Sequence, residues 1–236
     1  MSQLSVVRHG QAMFLTDDYD RLSDLGKQQA ELVGRSLAAE QLVPTHIFVG
    51  ALQRQQQTLA GIQKYVGETV DVVQDPLLNE FPFEAMLQVQ TERFRGRNRV
   101  VDAILEALQG DLERDERIRE VQRLLEFSID DWVQNDREDR AAGIPAWREF
   151  VAGVQRFLSS LQRQMPSGST VLAVTSGGVI AALTQTVLEA PILSAARLGW
   201  RVNNASITQM TFTQKRVSLD GFNRIGHLTS DMRTYR

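Results

Sequence analysis

Short apolar runs of strand type alternate with longer stretches of helical period toward both ends of this chain, and that alternation constrains its fold more than any other feature. Leu4 to Val7, His46 to Val49, Val70 to Val73 and Val171 to Val174 have the length and β-branched content of strands in a parallel sheet. Behind Ser23, an N-cap residue by type, Leu25, Leu32, Val33 and Leu37 recur at helical spacing. Leu59, Ile62 and Val66 mark a second helix from Leu52 to about Val66, and Pro76 closes the third strand. Later, Gly177-Gly178 opens a helix carrying Val179, Ile180, Leu183 and Val187, while Ser206 to Thr213 and Arg216 to Leu219 form an antiparallel hairpin. The order predicts the α/β class: a three-layer sandwich whose mostly parallel sheet carries an antiparallel carboxyl-terminal strand. Such sheets place ligands at the carboxyl ends of their strands. Arg8-His9-Gly10 and Ser176-Gly177-Gly178 both stand at such ends, so one site is expected to draw on both.

The middle of the chain breaks the alternation. Val101, Ile104, Leu105, Leu108 and Leu112, then Ile118, Val121, Leu125, Ile129 and Trp132, trace two or three charged amphipathic helices without a strand between Phe83 and about Ile144. We read residues 1–236 as one domain with a helical insertion at about 83–145. Trp147, Phe150, Val151, Val154, Leu158 and Leu161 give a helix that returns to the core, and helical spacing puts Trp132 and Trp147 inside.

Composition removes several chemistries. With no cysteine there are no disulfides, thiolate metal ligands or cysteine nucleophiles. His9, His46 and His227 are the only histidines, too few and scattered for a histidine-rich metal cage; carboxylate-bound magnesium stays open on composition, and the expectation for the chain as a whole is no metal and no other cofactor. The 26 basic and 29 acidic residues leave a net charge of -3, which provides no global attraction for nucleic acid or an anionic membrane. The amino terminus lacks a basic start with a long apolar stretch, and no later run approaches the roughly 18 to 20 apolar residues of a membrane span. A cytoplasmic location is the expectation.

The ordered motifs carry more information than any of them alone. Arg8-His9-Gly10 is followed by Leu22-Ser23-Asp24-Leu25-Gly26 with Gln29-Ala30, then Leu52-Gln53-Arg54 with Gln57-Thr58, then Leu78-Asn79-Glu80, then Ser176-Gly177-Gly178. Asn203-Asn204-Ala205-Ser206 and Phe222-Asn223 through His227-Leu228 close the series. Over essentially its whole length the chain resembles the histidine phosphatase superfamily, also called the phosphoglycerate mutase-like family. The resemblance implies a phosphomonoester hydrolase acting on a small phosphorylated metabolite or a phosphoprotein. His9 would be the nucleophile, since a neutral imidazole attacks phosphorus without first losing a proton. Arg8 and Arg54 would hold the phosphoryl oxygens, with Gly10, Ser176 and Gly177 completing the phosphate site. Glu80 would protonate the leaving oxygen and then activate water, provided burial or a negative neighbour raises its pKa.

Three departures from the family pattern bear on activity. Ser176 stands where the family has a second histidine, which replaces an imidazolium with a neutral hydroxyl; losing one preorganised donor typically costs about 100-fold to 1,000-fold in rate. Phe81-Pro82-Phe83 after Glu80 lacks the family's common continuation, which implies a remodelled leaving-group pocket. The stretch after His9 lacks the features of the glycolytic mutases, which favours hydrolysis. An alternative is therefore a catalytically impaired protein that binds a phospho-ligand in the same pocket. A serine hydrolase with Ser176, Asp220 and His227 is a third reading, but Val174 stands where its nucleophile elbow needs glycine. Arg201 and His227 are candidate compensators for the missing cation, although carboxyl-terminal packing also explains them. Arg93, Arg95, Arg97 and Arg99 read more readily as a solvated face than as an anion-reading rim, Asp17, Asp18 and Asp20 as turn residues, and His46 as structural.

Overall fold

The computed structural model describes residues 1–13, 19–67 and 70–235, so Asp17 and Asp18 lie outside the described residues. In chain order the elements are β1 (Ser2–Arg8), α1 (Asp24–Ala39), β2 (His46–Val49), α2 (Gln53–Val66), β3 (Val72–Gln74), α3 (Phe83–Phe94), α4 (Arg99–Gln109) and α5 (Arg114–Asn135). There follow α6 (Trp147–Gln164), β4 (Thr170–Thr175), α7 (Gly177–Leu188), α8 (Ile192–Gly199), β5 (Ile207–Phe212) and β6 (Val217–Arg224). Contacts divide the chain into two compact units, Met1–Glu80 with Val151–Arg236, and Phe81–Phe150.

The first unit holds one sheet of order β3-β2-β4-β1-β5-β6. Strands β1, β2, β3 and β4 pair in parallel, and β5 runs antiparallel to both of its neighbours, so it alone opposes the rest. Val7, Ile47, Val49, Leu172, Val174 and Ile207 point to one face and pack with Val33 and Leu37 of α1 and Leu59 and Ile62 of α2. Phe48, one residue out of phase, meets Phe157 of α6 on the other face, with ring centroids 5.5 Å apart and edge to face. Such an aromatic pair adds about 0.5–1.5 kcal/mol beyond its buried area. The layers are thus helix, sheet, helix. β3 lies later than its valine run suggests, because Val72 and Val73 on this edge strand are both exposed and no buried face marks the register.

Register places the site. Arg8 pairs with Thr175 and Val49 with Val174, so the carboxyl ends of β1, β4 and β2 finish side by side. The loop leaving β1 is pressed against the start of α1: a Cβ on Gly10 would lie 2.3 Å from the Gly26 carbonyl oxygen, and one on Gly26 would lie 2.1 Å from that of Gln11. Ser23 caps α1 by accepting from the Gly26 N–H at 3.0 Å, and its Oγ donates to Gln11 Oε1 at 2.8 Å.

The second unit consists of α3, α4, α5 and the residues that follow up to Phe150. Val101, Ile104 and Leu124 form its buried cluster, with Phe94 and Phe127 edge to face at 5.1 Å beside them. Trp132 and Trp147 are both buried and stack edge to face at 5.0 Å, and Trp132 Nε1 donates to the Pro145 carbonyl at 2.7 Å. Among the described residues no helix is long and apolar enough to cross a membrane.

Candidate active site

His9 leaves the end of β1 as a buried side chain, its backbone N–H donating to the Thr175 carbonyl at 2.8 Å. The imidazole has two partners. Nδ1 lies 2.8 Å from the Gly10 carbonyl, which can only accept, and Nε2 lies 3.2 Å from Arg54 Nε, which can only donate. The proton therefore sits on Nδ1, and Nε2 carries a lone pair. Burial, then the Arg54 and Arg8 guanidinium groups, hold this histidine well below its ordinary pKa of 6.5, with the Gly10 bond opposing them weakly. The ring is neutral near pH 7, with its Nε2 lone pair facing a cation.

Arg54 is held from three sides. Its Nη1 donates to Asp20 Oδ1 at 2.6 Å, its Nε faces His9, and its guanidinium carbon lies 5.1 Å from the Tyr19 ring centroid. Asp20 Oδ2 also accepts from the Gln53 N–H at 2.8 Å, so one carboxylate caps α2 and orients the arginine. Across the site, Arg8 donates through Nη1 to the Val202 carbonyl, while its buried Nε–H has no partner among the described residues. The negative charge of Glu80 acts on the Arg8 guanidinium, and Glu80 Oε2 accepts from the Gly178 N–H at 3.0 Å, near the start of α7. Ser176 is completely buried, and its Oγ accepts from Gln55 Nε2 at 2.8 Å.

The structure thus brings His9, Arg8, Arg54, Glu80, Ser176 and Gly177 together at the strand ends. Gly10 stands beside them: its N–H donates to Thr58 Oγ1 at 3.0 Å, and the close approach to Gly26 excludes a side chain. His227 instead places Nε2 2.9 Å from the Ala205 carbonyl, and Arg201 lies over the Tyr235 ring. Asp220 accepts from Thr211 Oγ1 at 2.6 Å, so the hydrogen bonds of Ser176, Asp220 and His227 lead to three separate partners and form no triad. His46 Nδ1 lies 2.8 Å from Thr45 Oγ1. In the helical unit Arg93 lies 3.8 Å from Asp131, and Arg95, Arg97 and Arg99 are exposed.

Sequence reasoning gave no role to the polar residues that clamp this site. Gln29 Oε1 accepts from the Gln11 N–H and Gln57 Oε1 from the Leu22 N–H, both at 2.8 Å, fixing the loop beyond His9. Asn204 Nδ2 donates to the His9 carbonyl at 3.3 Å, while its own N–H bonds Thr234 near the carboxyl terminus. The motif order contained Gln29, Gln57, Thr58 and Asn204, but only the fold shows which backbone groups they hold. Among the described residues no group of three or more histidine, aspartate or glutamate side chains could hold a metal ion.

Residues 4–123 and 91–225 match the profile of the histidine phosphatase superfamily (branch 1). Among solved structures the chain is similar to phosphoglycerate mutase from Bacillus anthracis str. Sterne at 18% identity, covering 96% of this chain and 94% of that one with a TM-score of 0.66. It is similar to phosphoserine phosphatase from Entamoeba histolytica at 19% identity, covering 97% and 100% with a TM-score of 0.63. A mycobacterial glucosyl-3-phosphoglycerate phosphatase aligns at 23% identity over 94% and 98% with a TM-score of 0.59. At such identities the likeness is one of fold. No curated protein sequence matches the chain significantly.

Proposed function

The chain belongs to the histidine phosphatase superfamily, and from that premise we propose that it is a phosphomonoester hydrolase acting through a phosphohistidine at His9. Its substrate is a small phosphorylated metabolite or a phosphoprotein, and its charge stabilisation comes from arginine rather than from a metal or other cofactor. One observation carries the reading: a neutral, buried imidazole whose Nδ1–H is tied to Gly10 and whose Nε2 lone pair faces Arg54.

In the first step the phosphoryl group takes over the Arg54 Nε–H, which frees Nε2. The lone pair forms an N–P bond as the P–O bond to the leaving group breaks, and the electron pair departs on that oxygen with a proton from Glu80. A dianion bound beside Glu80 favours the protonated carboxyl that this requires. Arg8 and Arg54 neutralise the equatorial oxygens, and the Gly10 carbonyl steadies the positive charge developing on the ring. Water then attacks phosphorus, Glu80 takes its proton, and the N–P electron pair returns to Nε2. The net reaction is ester plus water to alcohol plus phosphate.

The intermediate is the test. Labelling with radioactive phosphomonoester, quenching in alkali and mapping the modified peptide should place phosphate on His9 and find none in His9→Ala. Turnover with label on Ser176, or with no labelled protein at any quench time, contradicts the mechanism.

A further inference from the structure

Gln55 follows Arg54 on α2 and is completely buried. Its Nε2 donates to the Leu78 carbonyl at 2.9 Å and to Ser176 Oγ at 2.8 Å. Because a carbonyl can only accept, the Leu78 contact fixes which end of the amide is nitrogen. Oε1 accepts from the Leu52 N–H at 3.3 Å, and Gly50 leaves it room, since a Cβ there would lie 1.9 Å from that oxygen. Both amide protons are used, and turning the amide would break the bonds to the Leu78 carbonyl and the Leu52 N–H.

The consequence falls on Ser176. Its oxygen accepts from Gln55, which leaves one lone pair and the O–H; the O–H must point away from the Gln55 amide, and among the described residues no acceptor takes it although the side chain is fully buried. A buried donor left without a partner is unfavourable. Ser176 lies between Thr175, whose carbonyl accepts from His9, and Gly177, where a Cβ would lie 3.6 Å from Arg8 Nε. That Nε–H is itself buried and unpartnered among the described residues. These two donors stand on Arg8, which precedes His9, and on Ser176, which follows the residue bonded to the His9 backbone, and an anionic oxygen would satisfy both.

We propose that Gln55 is a positioning residue that fixes Ser176 as a hydrogen-bond donor, so that the Ser176 hydroxyl and the Arg8 Nε–H together receive a phosphoryl oxygen. The inference rests on the hydrolase reading above for its chemistry. Gln55 and Ser176 form a neutral donor pair in place of an imidazolium, and neither side chain titrates. Such a donor holds its strength across the pH range in which an imidazole would lose its proton.

Orthovanadate, binding to the full chain and read by calorimetry, tests the pairing without depending on turnover. Ser176→Ala should weaken binding about 10-fold and Gln55→Met by about 3-fold to 10-fold, the range of single neutral hydrogen bonds. The double variant should be no weaker than Ser176→Ala alone, because the glutamine acts only through the serine. Ser176→Thr, which keeps the hydroxyl, should retain affinity. Gln55→Glu, whose carboxylate would draw the Ser176 O–H toward itself, should bind more weakly than Gln55→Met. Additive losses in the double variant overturn the assignment. If Gln55→Met does not fold, Ser176→Ala decides alone, and unchanged affinity overturns it. A wild type that shows the predicted coupling yet releases no phosphate sinks the hydrolase reading and leaves the Gln55 assignment standing.

Discussion

At the scale of single residues, the proposed chemistry turns on the proton affinity of His9. Removing the Arg54 charge takes away one cause of its lowered pKa, so Arg54→Met should move the His9 titration upward, as an NMR titration of the imidazole would record. Arg54→Lys keeps the charge but loses the planar donor set, and turnover should fall about 100-fold to 1,000-fold. The same lowered pKa makes stability depend on pH. His9 and His227 both bind protons less readily when folded, chiefly through burial, so the unfolded chain is protonated first as pH falls. Stability should therefore fall once pH drops through 6.5 and go on falling until the folded-state values are passed. Melting temperatures between about pH 7.5 and 5 would show this, with a shallower decline in His9→Ala. A separate expectation concerns Ser176→His. The position is fully buried with Gln55 2.8 Å away, so an imidazole would overpack it, and phosphate release should improve only when Gln55→Ala makes room.

At the scale of elements, the close approach of the β1–α1 loop to the start of α1 is the feature most exposed to mutation. Gly26→Ala would put a Cβ 2.1 Å from a backbone oxygen and should cost about 1–3 kcal/mol or more in denaturant unfolding, whereas Ser23→Ala loses only a cap worth about 1 kcal/mol. Elements are also where the sequence was most readable. Buried strands announce themselves by apolar runs, and β2 spans the expected His46–Val49 because both its faces are covered. Ser23 was legible as a cap because its partner is three residues away. The cap on α2 was not, because Asp20 supplies it from 33 positions upstream. Gln55 escaped notice for a related reason: a hydrogen bond to a residue 121 positions away leaves no periodicity in the sequence. The candidate site was legible where motifs fall at strand ends and opaque where polar side chains reach across elements to hold them.

At the scale of the whole molecule, two compact units share one chain, and all the proposed catalytic groups belong to the one containing the sheet. The helical unit has its own core, so damage there should be felt locally first. Ile104→Ala leaves a cavity of a kind that costs about 2–5 kcal/mol, and hydrogen exchange should quicken in α3, α4 and α5 before it does in β1 and β4. The central claim, that His9 in the sheet unit turns over phosphomonoesters, is tested most directly by phosphate release from p-nitrophenyl phosphate, with wild type and His9→Ala assayed side by side across acidic to neutral pH. The account predicts release by the wild type and only background release by the variant. Equal release by the two would contradict it, and a wild type at background that still binds vanadate would make the same pocket a phospho-ligand sensor.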